Sequence, residues 1–388
     1  AIIQWSIKGA GAFDIFFVNN LVMPFFSGFI LYFLLLRALL VIGLRFNVSQ
    51  INKFTAFPVW LSGIILLFCF PFIKSVGTFA LLMLGIGVVE GLCYYYKRNI
   101  LSFLKISLWC AIFVILGYTT YFTTLVRSSA NPSVDMYNVD NPVSLKGYLG
   151  REQYGDWPIV YGPDFTDRAP VVNSGIQYVK GKNKYVPAGK NYKEEWGNTP
   201  SSHLFPRMWN PNNDRGEVNL YRQYADLEEG ERPTMKDNLE YFISYQSGWM
   251  YWRYFMWNFA GKQNDLQGFG NPRDSNFISG ISFVDNALYG DQSKMPETIS
   301  TKNKANNKLY MLPLALGIAG LIFQYARKRS DLFVNALLFL STGMAIVFYL
   351  NQAGMQPRER DYAYVGSFYA FAIWIGVGVL WVSQVMQK

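Results

Sequence analysis

The sequence predicts an α-helical polytopic membrane protein with about seven spanning helices and a mixed α+β extracytoplasmic insertion. Three observations carry this. Apolar residues gather in runs near 20 residues, enough to cross a roughly 30 Å hydrocarbon core as a helix. Aromatic residues make up 18% of the 388-residue chain, a high share for a soluble domain. The net charge of +9 is also unevenly placed. Residues 127–307 hold 20 Lys/Arg against 21 Asp/Glu, so the basic excess belongs to the apolar remainder, where it sets topology. That distribution removes the main support for nucleic-acid binding.

The apolar runs lie at about 21–43, 57–73, 76–96, 101–123, 309–326, 332–350 and 363–385. Pro71 predicts a kink or tilt in the second. Arg45 and Lys53 follow the first run, Lys97 and Arg98 the third, and Arg327, Lys328 and Arg329 the fifth. Alternation puts these three loops on one side, which the positive-inside rule makes cytoplasmic. The opposite side receives an outer segment at 1–20, the region of Lys74, a domain at 126–307 and an arginine-rich turn at 351–362. The membrane part is then four helices within 21–125 and three within 308–388. These counts predict a multi-pass membrane protein with its large loop on the extracytoplasmic side. Ala1 and Lys388 read as cut ends, so a longer parent chain is expected.

Within the insertion, I-Q-Y-V-K-G-K-N-K-Y-V at 176–186 alternates about a Gly181–Asn183 turn and predicts a hairpin. Residues 234–260 lack proline and predict a helix, with its aromatic part near 238–259 and a break at Gly248. Residues 261–307 read as loops. Cys69, Cys93 and Cys110 all lie in apolar runs without a CxxC spacing, and His203 is the single histidine. A disulfide framework, a metal centre and a histidine relay are therefore not expected.

Ten aromatics crowd the segment from Tyr241 to Phe259, more than one helix face can hold. They fit a helix lying at the bilayer interface, or rings that stack on a sugar or an isoprenoid. Arg37 and Glu90 interrupt apolar runs and should pair across helices, with Lys105 as another partner. His203 reads as ordinary polar surface, and Arg207 as a weak ligand candidate. Asp156, Asp164 and Asp167 fit turn chemistry as well as acid–base work.

The most specific stretch is Q-P-R-E-R-D-Y at 356–362. Glu359 and Asp361 suit a self-neutralising network at a helix start. Yet Arg358 and Arg360 stand outside against the topological bias, and arginine holds phosphate with a bidentate fork.

Five blocks carry a family likeness: R-S-S-A-N-P at 127–132, Y-L-G-R-E-Q-Y-G-D at 148–156, L-F-P-R-M-W at 204–209, M-Y-W-R-Y-F-M-W-N-F-A-G-K-Q-N-D at 250–265, and P-R-E-R-D-Y-A-Y-V-G-S-F at 357–368. Together they resemble a membrane family abundant in Bacteroidetes, glycosyltransferase family 117 (domain of unknown function 2723). Its animal relative is a protein O-mannosyltransferase of the endoplasmic reticulum. The resemblance implies a GT-C-like fold and an enzyme moving a sugar, such as mannose, from a polyprenyl phosphate to a Ser or Thr hydroxyl of an acceptor protein. No cofactor or metal is implied. Such enzymes carry an acidic residue in a first outer loop, which places the base upstream of Ala1, with Asp14 as the local substitute. The candidate substrate-binding residues are Arg358, Glu359, Arg360, Asp361, Tyr362, Arg207, Trp249, Trp252 and Arg253, with Arg358 and Arg360 expected to meet the leaving phosphate. Two other readings stand beside this one: a non-enzymatic scaffold with an outer binding domain, and a lipid-linked sugar transporter.

Overall fold

The computed structural model describes residues 2–46, 56–69, 73, 76–95, 97–150, 152 and 155–387. Lys53, Pro71 and Lys74 lie outside them. The chain forms two compact units: residues 1–156 with 173–193, and residues 157–172 with 194–388. The polar stretch expected as one inserted domain is therefore shared between the units, because its segments bond to different helices.

The first unit contains α1 (Ile2–Asn20), α2 (Ser27–Arg45), α3 (Ala56–Cys69), α4 (Val76–Tyr95), α5 (Lys97–Tyr118), α6 (Phe122–Ser128) and α7 (Pro142–Gly150). Strands β1 (Val171–Lys180) and β2 (Tyr185–Glu194) form the expected hairpin. Ile7, Ala10, Asp14 and Val18 recur at helical spacing and form the buried stripe of α1. At the α1–α2 crossing, a Cβ on Gly28 would lie 2.5 Å from the Phe13 carbonyl, so only glycine permits the approach. Helices α4 and α5 behave differently. Val76, Leu81, Leu84, Phe103, Ile106 and Phe113 are all exposed, the all-round apolar surface of helices whose solvent is lipid.

The second unit holds α8 (Glu217–Ala225), α9 (Met235–Tyr241), α10 (Arg253–Phe259), α11 (Ser282–Tyr289), α12 (Leu312–Arg327), α13 (Arg329–Thr342), α14 (Met344–Leu350) and α15 (Val365–Met386). Thr234 and Asp237 form a reciprocal capping box at the start of α9. A π-helical segment, Phe242–Trp252, joins α9 to α10 and carries Gly248 without the expected break. Nor does this aromatic stretch lie on the surface as an interfacial helix would. Tyr241, Tyr245, Tyr251, Tyr254, Phe255, Trp257 and Phe259 are buried and cluster with Phe371 and Trp374 of α15. Bulky rings on every face are the mark of a helix surrounded by protein.

Among the described residues, five helices are long and apolar enough to cross a membrane: Ser27–Arg45, Val76–Tyr95, Leu101–Ser128, Arg329–Leu350 and Asp361–Met386. The other two expected runs form shorter apolar helices, Phe57–Cys69 and Leu312–Arg327. The ion pair expected between Arg37 and Glu90 is not formed. Glu90 accepts from Ser62 Oγ at 3.0 Å instead, and Arg37 has no ion pair among the described residues. A serine on the adjacent helix satisfies the carboxylate locally.

Helix α12 lies against α15 at backbone contact. A Cβ on Gly320 would come within 1.9 Å of the Trp374 carbonyl, and one on Gly378 within 2.1 Å of the Leu316 carbonyl. Trp374 Nε1 donates to Gln324 Oε1 at 2.7 Å beside this crossing. Gly320→Val should therefore push the helices apart at a cost of at least the roughly 1–3 kcal/mol of an overpacked core. Thermal unfolding in detergent is expected to show a clear loss for Gly320→Val and little change for the exposed Gly376→Ala control.

Candidate functional site

The turn after α14 begins with Asn351, in the left-handed conformation at φ 39°. Its side chain donates to the Pro158 carbonyl (2.6 Å) and the Pro206 carbonyl (2.8 Å) and accepts from Gln246 Nε2 (3.0 Å). Its own carbonyl accepts from Trp209 Nε1 at 2.8 Å. One buried asparagine thus fastens the base of the turn to three separated segments. An asparagine ending a helix is a recognisable left-handed cap, but the long-range partners carry no sequence signal.

The tip of the turn is held by Glu359. Arg253, at the start of α10, donates to it through both terminal nitrogens, Nη2 to Oε2 at 2.7 Å and Nη1 to Oε1 at 3.2 Å. The Tyr254 hydroxyl donates to Glu359 at 2.5 Å, and the Gly268 amide at 3.0 Å. Arg253 is 3% exposed. Its guanidinium lies 3.9 Å from the Trp249 ring centroid, with Tyr254 and Trp257 also beside it. It further donates to the Ser275 and Trp249 carbonyls. This is a desolvated, bidentate, fully bonded pair, the arrangement in which an internal ion pair is sustained.

The pairing has a consequence for the neighbours. Of the two readings of the turn, the one in which Glu359 neutralises Arg358 and Arg360 is not formed, and Glu359 pairs with Arg253 instead. Arg358 is exposed, and Arg360 is half-buried. Among the described residues neither side chain has an ion pair, and the buried Nε of Arg360 has no acceptor. The Arg360 amide is fixed by the Tyr254 hydroxyl at 3.1 Å. Lys262 adds a third cation to this region. Its amine stands 3.8 Å from the Trp257 ring centroid, and burial pushes its pKa down against the pull of Asp361 and Glu359. Arg358 and Glu359 also line a pocket of about 70 Å³ with Trp249, Tyr245, Tyr254 and Phe269.

The remaining candidates divide. Trp249 lines the pocket and supports Arg253. Asp361 is half-buried and opens the short 3₁₀ turn Asp361–Tyr364 before α15, while Tyr362 is exposed. Trp252 is exposed and stacks on Phe255 at 5.2 Å between ring centroids. Arg253 serves the turn from inside, bonded to Glu359 and to the Ser275 and Trp249 carbonyls.

Arg207 is fully buried. It donates to the Phe348 and Ile159 carbonyls at 3.0 and 2.6 Å and lies over Phe205 and Phe348, and burial lowers its pKa to about 10. Asp14 is likewise structural. Its Oδ1 accepts from the Gly28 and Phe29 amides and its Oδ2 from the Phe26 amide and the Tyr185 hydroxyl. Three of these bonds hold the start of α2 and the fourth ties Asp14 to β2, so all four acceptor sites are used, leaving none for a substrate hydroxyl. Asp164 closes a turn on Thr166, and His203 bonds the Ser201 carbonyl. No cluster of metal-ligating side chains occurs among the described residues.

Residues 155–243 match the model of a family of unknown function (DUF8416). No curated protein and no solved structure matches the chain. The matched segment contains Arg207 and its Asn238 partner and ends ten residues before Arg253.

Burial pushes the Glu359 carboxyl up, but Arg253, Tyr254 and the Gly268 amide outweigh it and hold the group below its ordinary value of 4.5. A lowered folded pKa stabilises above the unfolded value and loses that contribution as pH falls through the folded one. Resistance to thermal unfolding should therefore fall on acidification below about pH 4.5. Glu359→Gln should be less stable than the wild type at neutral pH, by up to the about 3–5 kcal/mol of a broken internal pair. It should also lack this acid-dependent component. Equal acid sensitivity in both proteins would remove Glu359 as its source.

Proposed function

We propose that this chain forms part of a membrane glycosyltransferase of GT-C-like type. In this reading it transfers a sugar, with mannose the leading candidate, from a polyprenyl-phosphate carrier to a Ser or Thr hydroxyl of an acceptor protein. The reaction takes place at the periplasmic face of the cytoplasmic membrane. The two shorter apolar helices, Phe57–Cys69 and Leu312–Arg327, count as spans and complete the seven.

One observation carries the reading: Arg253 occupies Glu359, and among the described residues Arg358 and Arg360 have no carboxylate partner, at one end of the apolar helix Asp361–Met386. Two uncompensated arginines at the edge of a bilayer need an anion, and a lipid phosphate is the anion available at that depth. The five sequence blocks that resemble the transferase family supply the rest.

The chemistry follows from charge. The acceptor oxygen attacks the anomeric carbon, and the bond from that carbon to the phosphate oxygen breaks. The electron pair leaves on the phosphate, and the hydroxyl proton passes to a base. Arg358 and Arg360 stabilise the charge growing on the phosphate. Asp14 has no acceptor capacity left for the proton, so the base is assigned to no residue described here.

Loss of one charge stabiliser of this kind typically costs about 10²–10³ in rate. Arg358→Ala and Arg360→Ala, each in the full-length protein, should lower transfer on that scale while leaving membrane expression intact. Mass spectrometry of periplasmic glycoproteins in a deletion strain complemented with each variant reads this out. Wild-type glycosylation in both single variants and the double variant would eliminate the assignment.

A further inference from the structure

In the first unit, α1 runs antiparallel beside α2, with Gly28 against Phe13 and Gly9 against Tyr32. The Gly28 amide donates to Asp14 at 3.1 Å, so Asp14 is level with the start of α2. Helix α2 has 19 residues, a length of about 28 Å, which matches the roughly 30 Å hydrocarbon core. Its first turn therefore stands at one edge of that core. Asn19 lies five residues beyond Asp14 on α1, about 7.5 Å farther out. The headgroup layer is about 5–8 Å deep on each side, which puts Asn19 at the depth of the lipid phosphates.

Two features are fastened at this level. The first is the hairpin turn, residues 181–184. The Asn19 side chain accepts from the Tyr185 amide and donates to the Tyr185 carbonyl, both at 2.9 Å. The Tyr185 ring packs edge-on against Phe25, 5.1 Å between centroids. The turn carries Lys182 and Lys184, both exposed and without an ion pair among the described residues. Lys180 beside them is already paired with Asp140 at 2.6 Å. The second feature is the loop between α1 and α2. Leu21, Val22 and Met23 are consecutive and all exposed, Val22 to 87%. The Leu21 and Met23 amides both donate to the Phe17 carbonyl, which holds the loop on the end of α1. Val22 sits at φ 55°, a conformation that β-branched residues rarely adopt.

A partner for this surface must match free cations and exposed apolar side chains at one depth. A soluble acidic partner would meet the lysines and leave the apolar loop in water. Anionic headgroups above acyl chains meet both, the combination that holds amphipathic surfaces at a bilayer. We propose that the hairpin turn and the Leu21–Met23 loop form a binding surface for anionic phospholipid headgroups. Lys182 and Lys184 contact the phosphates, and the loop enters the interfacial layer beside them. The surface is separate from the arginine turn and does not rest on the transferase reading.

The test is photo-crosslinking from the turn itself. Benzoylphenylalanine replaces Asn183, between the two lysines, in the full-length protein. The protein is reconstituted in an equal mixture of phosphatidylglycerol and phosphatidylcholine, and lipid adducts are identified by mass spectrometry. Phosphatidylglycerol adducts should exceed phosphatidylcholine adducts about fivefold or more, the effect of one lysine at an anionic surface. Lys182→Gln/Lys184→Gln should bring the two adducts to parity. So should 1 M salt, which shortens the screening length to about 3 Å. Both lysines are exposed, so the double variant should fold as the wild type does. No lipid adduct, equal adducts of the two lipids with the lysines present, or an unchanged preference in the double variant would each overturn the assignment.

Discussion

The buried pair between Arg253 and Glu359 is the constraint on which the charged turn depends. A cation placed among Trp249, Tyr254 and Trp257 requires an anion, and the chain brings Glu359 across 106 residues to supply it. Replacing such a pair with apolar groups is often neutral or stabilising, so its value lies elsewhere. It fixes the direction of the turn. With Glu359 drawn inward and the Arg360 amide held by Tyr254, the flanking arginine side chains have no ion pair among the described residues.

The aromatic segment makes this possible. Its π-helical stretch widens the helix between α9 and α10, a local distortion frequent at functional sites. It presents Gln246 to the base of the turn through Asn351 and Gln352, while Arg253 and Tyr254 follow and meet the tip. One helix thus grips both ends of the turn. The close α12–α15 crossing, in turn, fixes the helix that continues from it. Rigid support from regular elements is what a site needs to present two long, flexible side chains in one place.

Much of the fold was legible because its signals are local. Run length marked the seven apolar helices, alternation about Gly181 marked the hairpin, and the absence of proline marked the helix through 241–259. The long-range features were not legible. Burial of the aromatic helix depends on which helices surround it, and ten rings in 19 residues fit an interface or a core equally well. The partner of Glu359 could not be read either. Arg358, Arg360 and Arg253 are all arginines, and only the tertiary path selects among them. Arg207 looked like a ligand for the same reason, since an arginine between Pro206 and Met208 carries no mark of complete burial. Asp14 is the reverse case: it lies inside α1, 13 residues before α2 begins, so nothing local marks it as the group that holds the start of the next helix.

The central claim is that Arg358 and Arg360 are kept available for a phosphate. Titrating the purified full-length protein with a short-chain isoprenyl phosphate, followed by ³¹P NMR, tests it directly. Binding should shift or broaden the phosphate resonance of the ligand with wild type, weaken as salt rises, and disappear in the Arg358→Ala/Arg360→Ala double variant. Undiminished binding by a folded double variant would contradict the account.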